Sequence, residues 1–324
     1  SRVQELQMVT QKGENTSVVA IHGNFDHAQS GVKALFEDKE LEKELAAKGY
    51  QFSSANSINI GRLVPQVVYY VYAYAKLLEN EEIQAGEEIN VTVPTGNFGN
   101  ILAAYYAKQM GVPIAKLICA SNDNKVLYDF FRTGIYDKKR EFILTSSPSM
   151  DILISSNLER LIYLSTGCDA EANRSLMEQL STQGSYEVTE TMKEAMKDFT
   201  GGFATEAENA AEIKKVYEDT GYVIDTHTGV ASAVYRAYAE KTGDTTPTVI
   251  ASTASPYKFS HSVMEAIRGD EGSKDEFAII DELCAVSGVK IPAAVEEIRN
   301  AEIRHKRESD VEDMEKTVAE ILGL

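Results

Sequence analysis

The sequence predicts an α/β fold in which mostly parallel sheets are covered by helices. Short apolar runs of strand length alternate with longer stretches that have helical periodicity. A polar or glycine-containing turn separates each apolar run from the helical stretch that follows it. Strand, turn and helix repeated in this order form βαβ units, whose strands run parallel.

Four apolar runs are predicted as strands, the first of them buried, and each is followed by a predicted helix. The predicted strands are residues 17–22, 89–94, 115–121 and 248–253. The predicted helices are residues 32–47, 101–110, 122–131 and 256–267. A polar turn at 23–31 is predicted between the first strand and its helix.

The rest of the chain is mainly helical in pattern. Between residues 147 and 215 strand signals are scarce, which predicts a helical insertion. Within it, Thr205 and Glu208 have the spacing of a capping box, so a helix is expected to begin there. After Ala293 a strongly charged helical pattern predicts an outer helix exposed to solvent.

Composition excludes several function classes. The 324 residues include 32 Lys and Arg against 50 Asp and Glu, for a formal net charge of -18, which disfavours nucleic acid or an anionic membrane as partner. The 3 cysteines are too few for a disulfide framework, and the 5 histidines form no metal-ligand motif. The apolar stretch 67–78 is too short to span a bilayer and is predicted as a buried helix. Since no secretion signal precedes the first elements, we expect a cytoplasmic protein.

The stretch from Val93 to Asn100, with the sequence VPTGNFGN, is the most informative one. It follows a predicted strand and precedes a predicted helix, so its glycines allow backbone N–H groups to converge at a helix N-terminus. Such a cradle favours an anion, and a phosphate monoester is the natural occupant. The alternative is a tight strand-to-helix turn that binds nothing.

Two further stretches carry polar side chains at the ends of predicted elements. Residues 53–62 are rich in Ser and Asn and end in Arg62, which suits a second anion, although a capped helix with one surface arginine is the alternative. Thr253 is expected at the carboxyl end of the fourth strand, where parallel sheets place ligands. Ser255 and Pro256 suit the start of the following helix.

Together, PTGNFGN, SSANSINIGRLVPQ and TASPYKF resemble the threonine synthase family, especially its longer bacterial and fungal form. LQMVTQKGEN and IHGNFDHAQSGVK are also similar to that family. The resemblance implies fold type II of the pyridoxal-phosphate enzymes, with a large and a smaller domain. It also implies a lyase that converts O-phospho-L-homoserine and water to L-threonine and phosphate, for threonine biosynthesis.

The resemblance also implies roles for individual residues. Backbone amides of the glycine-rich loop would hold the cofactor phosphate, which here points to Gly96, Asn97, Phe98, Gly99 and Asn100. The hydroxyl of Thr253 would face the pyridine nitrogen of the cofactor. The phosphate of the substrate would contact Asn56, Ser57, Asn59 and Arg62.

One expected feature is missing from the sequence. In the family, the Schiff-base lysine precedes the LQMVTQ line, whereas Lys193 and Lys197 of this chain lie in a charged helical segment. Lys258 follows the fourth strand, at a place that the family does not use for this lysine. We therefore expect the chain to be an inactive C-terminal portion, whose partner is the missing N-terminal segment. Residues 1–64 would then be the remnant of the smaller domain and 65–324 the large one.

Two alternatives remain open. Another enzyme of the same fold type, such as a dehydratase or a β-synthase, has no need of a second anion site, so residues 56–62 discriminate against it. A non-catalytic phosphometabolite-binding protein would agree with the absence of the lysine. The stretch Asp225-Thr226-His227-Thr228 is interpreted as a capped helix start with His227 packed against it.

Overall fold

The computed structural model describes residues 2–23, 25–57, 59–269 and 275–324. The helices are α1 (Arg2–Val9), α2 (Phe25–Glu37), α3 (Lys39–Ala47), α4 (Ile60–Leu63), α5 (Val67–Glu79), α6 (Gly99–Gln109), α7 (Val126–Thr133), α8 (Leu158–Ser165), α9 (Ala170–Gln183), α10 (Glu190–Ala195), α11 (Glu206–Thr220), α12 (Thr226–Thr242), α13 (Ser260–Arg268), α14 (Glu276–Ser287), α15 (Ala293–Arg299) and α16 (Met314–Leu322). The strands are β1 (Val19–Ile21), β2 (Ile89–Pro94), β3 (Ile114–Ser121), β4 (Ile135–Asp137), β5 (Ser185–Glu187), β6 (Phe199–Phe203), β7 (Thr248–Ile250) and β8 (Arg307–Ser309).

The main sheet has four parallel strands in the order β6-β3-β2-β7. Every residue of β2 is buried, and Cys119 of β3 lies fully buried between Val93 of β2 and Gly201 of β6. Helices cover both faces of such a sheet, so its central strands are largely apolar. The predicted parallel α/β architecture is confirmed.

Strand β6 was not predicted, because it lies inside the stretch that was predicted to be helical. Its sequence, FTGGF, has two glycines that lower strand propensity. A Cβ atom on Gly201 would lie 3.0 Å from the Tyr128 Cα, and one on Gly202 would lie 2.4 Å from Cγ1 of Val234. These glycines therefore allow α7 and α12 to approach the strand closely. The same region contains a second strand that was not predicted, β5, which pairs antiparallel with β4. It otherwise contains α8, α9 and α10, and the predicted capping box of Thr205 and Glu208 begins α11.

Helix α5 lies where the apolar stretch 67–78 predicted it, but the prediction that it is buried is wrong. Tyr70 is 3% exposed, whereas Val68, Tyr69 and Tyr72 are 64%, 59% and 61% exposed. Only the face that packs against α6 is covered. Among the residues that the structure describes, no helix combines the length and the apolar character that a membrane crossing requires.

The N-terminal elements differ from their predictions. Helix α2 begins at Phe25, so most of the predicted turn 23–31 is helical. Gly31, which suggested a turn, lies inside α2, where a Cβ atom would be 2.3 Å from Sδ of Met314. A separate helix, α3, begins after Asp38, whose Oδ1 accepts hydrogen bonds from the N–H groups of Glu40 and Leu41, both at 2.9 Å.

The charged C-terminal stretch is not one outer helix, as the sequence predicted. It forms α15, then β8, then α16, and β8 pairs in parallel with β1. A two-stranded sheet leaves much of each strand open to water, so charged side chains are tolerated there. The three residues of β8 are also too few to show an alternating pattern. Strand β1, predicted as buried, is in fact partly exposed.

The chain forms two compact units. One comprises Ser1–Ser54 with Val289–Leu324, and the other comprises Ala55–Gly288. The predicted division into 1–64 and 65–324 differs in two ways: the boundary lies at residue 54, and the C-terminal segment returns to the first unit. Residues 56–62 and the glycine-rich loop thus belong to the same unit.

Candidate anion-binding site

The glycine-rich loop joins β2 to α6. Its first residue, Thr95, is fixed by two hydrogen bonds, from its N–H to the Ala120 carbonyl (2.9 Å) and from Oγ1 to the Val93 carbonyl (2.7 Å). Phe98 has a φ of 65°, a left-handed conformation that costs a residue with a side chain about 1 to 2 kcal/mol. Its buried ring offsets this cost by packing 5.7 Å from the ring of Phe199.

The loop presents a group of unpaired backbone donors. Among the residues that the structure describes, no acceptor faces the N–H groups of Gly96, Asn97, Phe98, Gly99 and Asn100. Unpaired N–H groups at a helix N-terminus attract an anion, because they carry partial positive charge and lack a partner. The loop therefore fits the cofactor phosphate that the resemblance implies.

Neighbouring segments hold the loop in this shape. A Cβ atom on Gly96 would lie 2.2 Å from the Ser149 carbonyl oxygen, so only glycine permits this approach. The Ser155 hydroxyl donates to the Gly96 carbonyl at 2.7 Å. At the helical end of the loop, the buried Tyr70 hydroxyl donates to Oδ1 of Asn100 at 2.5 Å.

Asn157 connects the loop to the segment predicted to bind the substrate phosphate. Its side chain is buried, and Nδ2 donates to the Ser57 carbonyl at 2.7 Å and to the Asn97 carbonyl at 3.0 Å. Oδ1 of the same amide accepts from Nε of Arg160 at 3.1 Å. The structure thus brings the two predicted stretches together. Sequence reasoning missed Asn157, although its polar setting, SSNLER, could have suggested a role.

The segment 56–62 contains the start of α4 and the residues just before it. Asn59 caps this helix, its Oδ1 accepting from the Gly61 N–H at 2.8 Å. Arg62 is exposed, with one contact of 3.4 Å from its guanidinium to the Ala55 carbonyl. No carboxylate within the described parts of the chain pairs with Arg62, so its charge is available to an anion. Asn56 is exposed and Ser57 half-buried.

Thr253 lies in the connection that follows β7, the strand next to β2 in the sheet. Strand β7 ends at Ile250, three residues earlier than predicted, and the Ala251 N–H donates to the Thr92 carbonyl of β2 at 2.9 Å. Because β2 and β7 are parallel neighbours, Thr253 and the glycine-rich loop follow the same edge of the sheet. The predicted helix cap is present: the Tyr257 N–H donates to Oγ of Ser255 at 3.3 Å, and Pro256 begins a short 3-10 helix.

A second polar cluster behind the loop was also missed by the sequence reasoning. The Asp151 carboxylate accepts from Nδ2 of Asn122 at 2.7 Å, from Nδ2 of Asn124 at 3.1 Å and from Oγ1 of Thr145 at 2.7 Å. Both asparagines are buried. The cluster fixes the segment that carries Ser149, and its members are too far apart in sequence for a motif search to find.

The three lysines that the sequence offered, Lys193, Lys197 and Lys258, make other contacts. Lys193 pairs with Glu190 within α10 at 2.7 Å, and Lys197, just after that helix, pairs with Glu194 at 2.6 Å. Nζ of Lys258 lies 5.4 Å from the centre of the Phe259 ring. Nothing in these contacts assigns a Schiff-base role to any of the three.

Other features of the described residues offer no competing site. A cleft of about 490 Å³ lies between α11 and α13 and is lined by Ser146, Glu206 and Asn209 among others; none of the predicted site residues, all of which the structure describes, lines it. Within the described ranges, no group of three or more His, Cys, Asp and Glu side chains could hold a metal ion.

Comparison with known proteins agrees with this geometry. The family "Threonine synthase, C-terminal" matches residues 228–321. The threonine synthase of Saccharomyces cerevisiae is 37% identical over 284 residues, covering 83% of this chain and 54% of that protein. The PLP-bound threonine synthase from Brucella melitensis superimposes with a TM-score of 0.83 at 36% identity, covering 99% of this chain.

The chain thus has the C-terminal domain of the threonine synthase family and is similar to threonine synthases over most of its length. The crystal structure of the yeast enzyme also matches, with a TM-score of 0.82 and 32% identity over 99% of this chain. The Homo sapiens protein named Threonine synthase-like 1 is 42% identical over 271 residues. The chain spans 62% of each solved threonine synthase, and 54% and 36% of the yeast and human sequences. The predicted family resemblance and fold class are confirmed.

Proposed function

We propose that this chain supplies the phosphate-binding machinery of a threonine synthase, a pyridoxal-phosphate-dependent lyase that converts O-phospho-L-homoserine and water to L-threonine and phosphate. One observation carries the proposal. The two predicted anion-binding stretches converge, because one buried amide, that of Asn157, donates to a carbonyl of each.

In this proposal the unpaired N–H groups of Gly96 to Asn100 hold the cofactor phosphate. The hydroxyl of Thr253 faces the pyridine nitrogen. When bound, pyridoxal phosphate withdraws electrons from the substrate carbons, and a neutral hydroxyl at its ring nitrogen keeps that withdrawal moderate. Phe98 and the Ser155 hydroxyl keep the donors preorganised, so they need not rearrange when the anion enters.

The side chains of Asn56, Ser57, Asn59 and Arg62 hold the phosphate group of the substrate. Arg62 has no carboxylate partner among the described residues, so its guanidinium can make a two-pronged bond to phosphate oxygens. A phosphate that stays there after it leaves the substrate can accept or donate a proton near neutral pH. The net charge of -18 does not oppose this, because local donors set the potential at the site.

The test is Arg62→Ala in a polypeptide that also contains the segment expected to carry the Schiff-base lysine. We expect kcat/KM for O-phosphohomoserine to fall about tenfold or more, because a charge-assisted bond to phosphate is lost. Arg174→Ala is the matched control, since Arg174 pairs on the surface with Glu171 at 2.7 Å. An unchanged kcat/KM for Arg62→Ala would remove the proposed role.

A further inference from the structure

The N-terminus of α12 contains more buried polar side chains than a helix cap requires. Asp225, His227 and Thr228 are 0%, 3% and 5% exposed. Asp225 alone satisfies the cap, since its Oδ1 accepts from the backbone N–H groups of His227 at 2.8 Å and Thr228 at 3.4 Å. The side chains of His227 and Thr228 are therefore not needed to begin the helix.

His227 extends this network toward the glycine-rich loop. Its Nδ1 lies 3.1 Å from Oδ1 of Asp225, and a carboxylate can only accept, so Nδ1 carries the proton. Nε2 is then an acceptor, and the Ser149 N–H donates to it at 3.2 Å. The carbonyl of that same Ser149 is the group that packs against Gly96. His227 thus fixes Ser149, the residue whose carbonyl packs against the phosphate-binding loop.

Thr228 extends the same network toward Thr253. Its hydroxyl has one proton, which it can donate to Oδ2 of Asp225 or to Oγ of Ser252. The contact between the hydroxyls of Thr228 and Ser252 is 3.2 Å long. Ser252 directly precedes Thr253, so the orientation of that segment depends on Thr228.

The central carboxylate remains an acceptor. Burial raises the pKa of Asp225, but the hydrogen bonds from His227 and Thr228 outweigh this, so the pKa lies below its usual value. Asp225 is thus ionised at neutral pH. The contacts through His227 and those through Thr228 therefore both start from one charged group, the Asp225 carboxylate at the N-terminus of α12.

We propose that Asp225, His227 and Thr228 are positioning residues that fix the distance between the phosphate-binding loop and Thr253, and so match the site to the length of pyridoxal phosphate. This rests on the proposed function, in which the two ends of the cofactor bind at these places. His227 acts on the phosphate end through Ser149, and Thr228 acts on the ring end through Ser252.

The test compares pyridoxal phosphate binding by the 324-residue chain and by His227→Leu, His227→Gln and Thr228→Val. Three quantities are measured: the dissociation constant, the ³¹P chemical shift of the bound cofactor and its visible absorption. His227→Leu should weaken binding about tenfold or more and move the ³¹P signal, because the Ser149 N–H loses its acceptor. His227→Gln should restore most of the affinity, since its Oε1 can accept from that N–H.

Thr228→Val should shift the visible absorption much more than the ³¹P signal, because it removes the contact with Ser252 directly and reaches His227 only through Asp225. A general loss of packing would move both signals together. Asp225→Ser keeps a hydroxyl that can cap the helix but removes the carboxylate that contacts both His227 and Thr228, so it should move both signals. It replaces His227→Leu in the test if that variant fails to fold. Wild-type affinity and spectra in folded His227→Leu and Asp225→Ser would overturn this inference alone. Failure of the wild-type chain to bind pyridoxal phosphate would instead overturn the proposed function and this inference with it.

Discussion

At the residue scale, the site depends on side chains whose hydrogen-bonding capacity is fully used. The Asn157 amide has two N–H donors, and they go to the carbonyls of Ser57 and Asn97, while its oxygen accepts from Arg160. A buried amide with this complement of partners allows one orientation only. Its identity is therefore more restricted than that of the exposed Arg62 nearby.

Asn157→Asp should disrupt both anion-binding stretches. The substitution is nearly isosteric but replaces the donors with acceptors, so two carbonyl groups lose their partner and face negative charge. We expect the free energy of unfolding to fall by about 1 to 3 kcal/mol, together with weaker pyridoxal phosphate binding, measured by urea titration and cofactor titration. Asn15→Asp, in an exposed turn, is the control. Equal effects of the two substitutions would contradict the bridging role.

At the element scale, one carboxylate joins three elements of the sheet unit. Asp244, just after α12, accepts from Nδ2 of Asn90 in β2 at 2.9 Å and from the Tyr238 hydroxyl of α12 at 2.7 Å. It also accepts from the Thr246 N–H, before β7, at 2.9 Å. Hydrogen bonds from Thr246, Tyr238 and Asn90 hold the pKa of Asp244 well below its usual value.

This depressed pKa predicts a dependence of stability on acid. The unfolded chain takes up a proton at this carboxyl near pH 4, before the folded chain does, so its contribution is complete above that pH and is lost as the pH falls further. Asp244→Asn should therefore flatten the decline of unfolding free energy between about pH 4 and pH 2. Urea titrations at several pH values measure this, with Glu14→Gln, at an exposed position, as control. An acid limb identical to that of the wild type would show that Asp244 does not contribute.

At the scale of the whole molecule, the two units differ in how the chain builds them. Ala55–Gly288 is continuous and contains the four-stranded sheet, the glycine-rich loop and α12. The other unit combines both ends of the chain, and its strand β1 pairs with β8. Continuity lowers the loop-closure cost of forming the first unit, whereas the second needs its two distant segments together.

We expect residues 55–288 to fold when produced alone. Their urea unfolding, followed by circular dichroism, should show one cooperative transition, because all strands of the main sheet are present. A chain ending at residue 288 should show the same transition with residues 2–54 sensitive to protease, since β1 lacks its partner β8. A gradual, non-cooperative unfolding of 55–288 would contradict the independence of this unit.

The sequence predicts a strand only where its residues show a local pattern. Strands β2 and β3 were predicted because a buried parallel strand is largely apolar along its whole length. Strand β6 was not predicted, because its two glycines lower strand propensity and are needed only for the helices that pack on it. Strand β8 was not predicted, because it has three residues, two of them charged, and so shows no period.

The same limit applies to the site. The two stretches that we propose to bind anions could be singled out because each is a local pattern that resembles the family. Asn157 contacts Ser57, which lies 100 positions away in the sequence, and Asn97, which lies 60 positions away. The contact between His227 and Ser149 spans 78 positions. Contacts between residues so far apart in the sequence are set by the fold, so no local sequence pattern predicts them.

The position of Cys119 has a kinetic consequence. Burial raises the pKa of this thiol to about 12, and its strand β3 has neighbours on both sides, so a thiol reagent can reach it only when the central sheet opens. Cys168 is exposed and reacts without any opening. The ratio of the two alkylation rates therefore reports how often β3 separates from its neighbours, one of which is the strand that leads into the glycine-rich loop, with no label added to the chain.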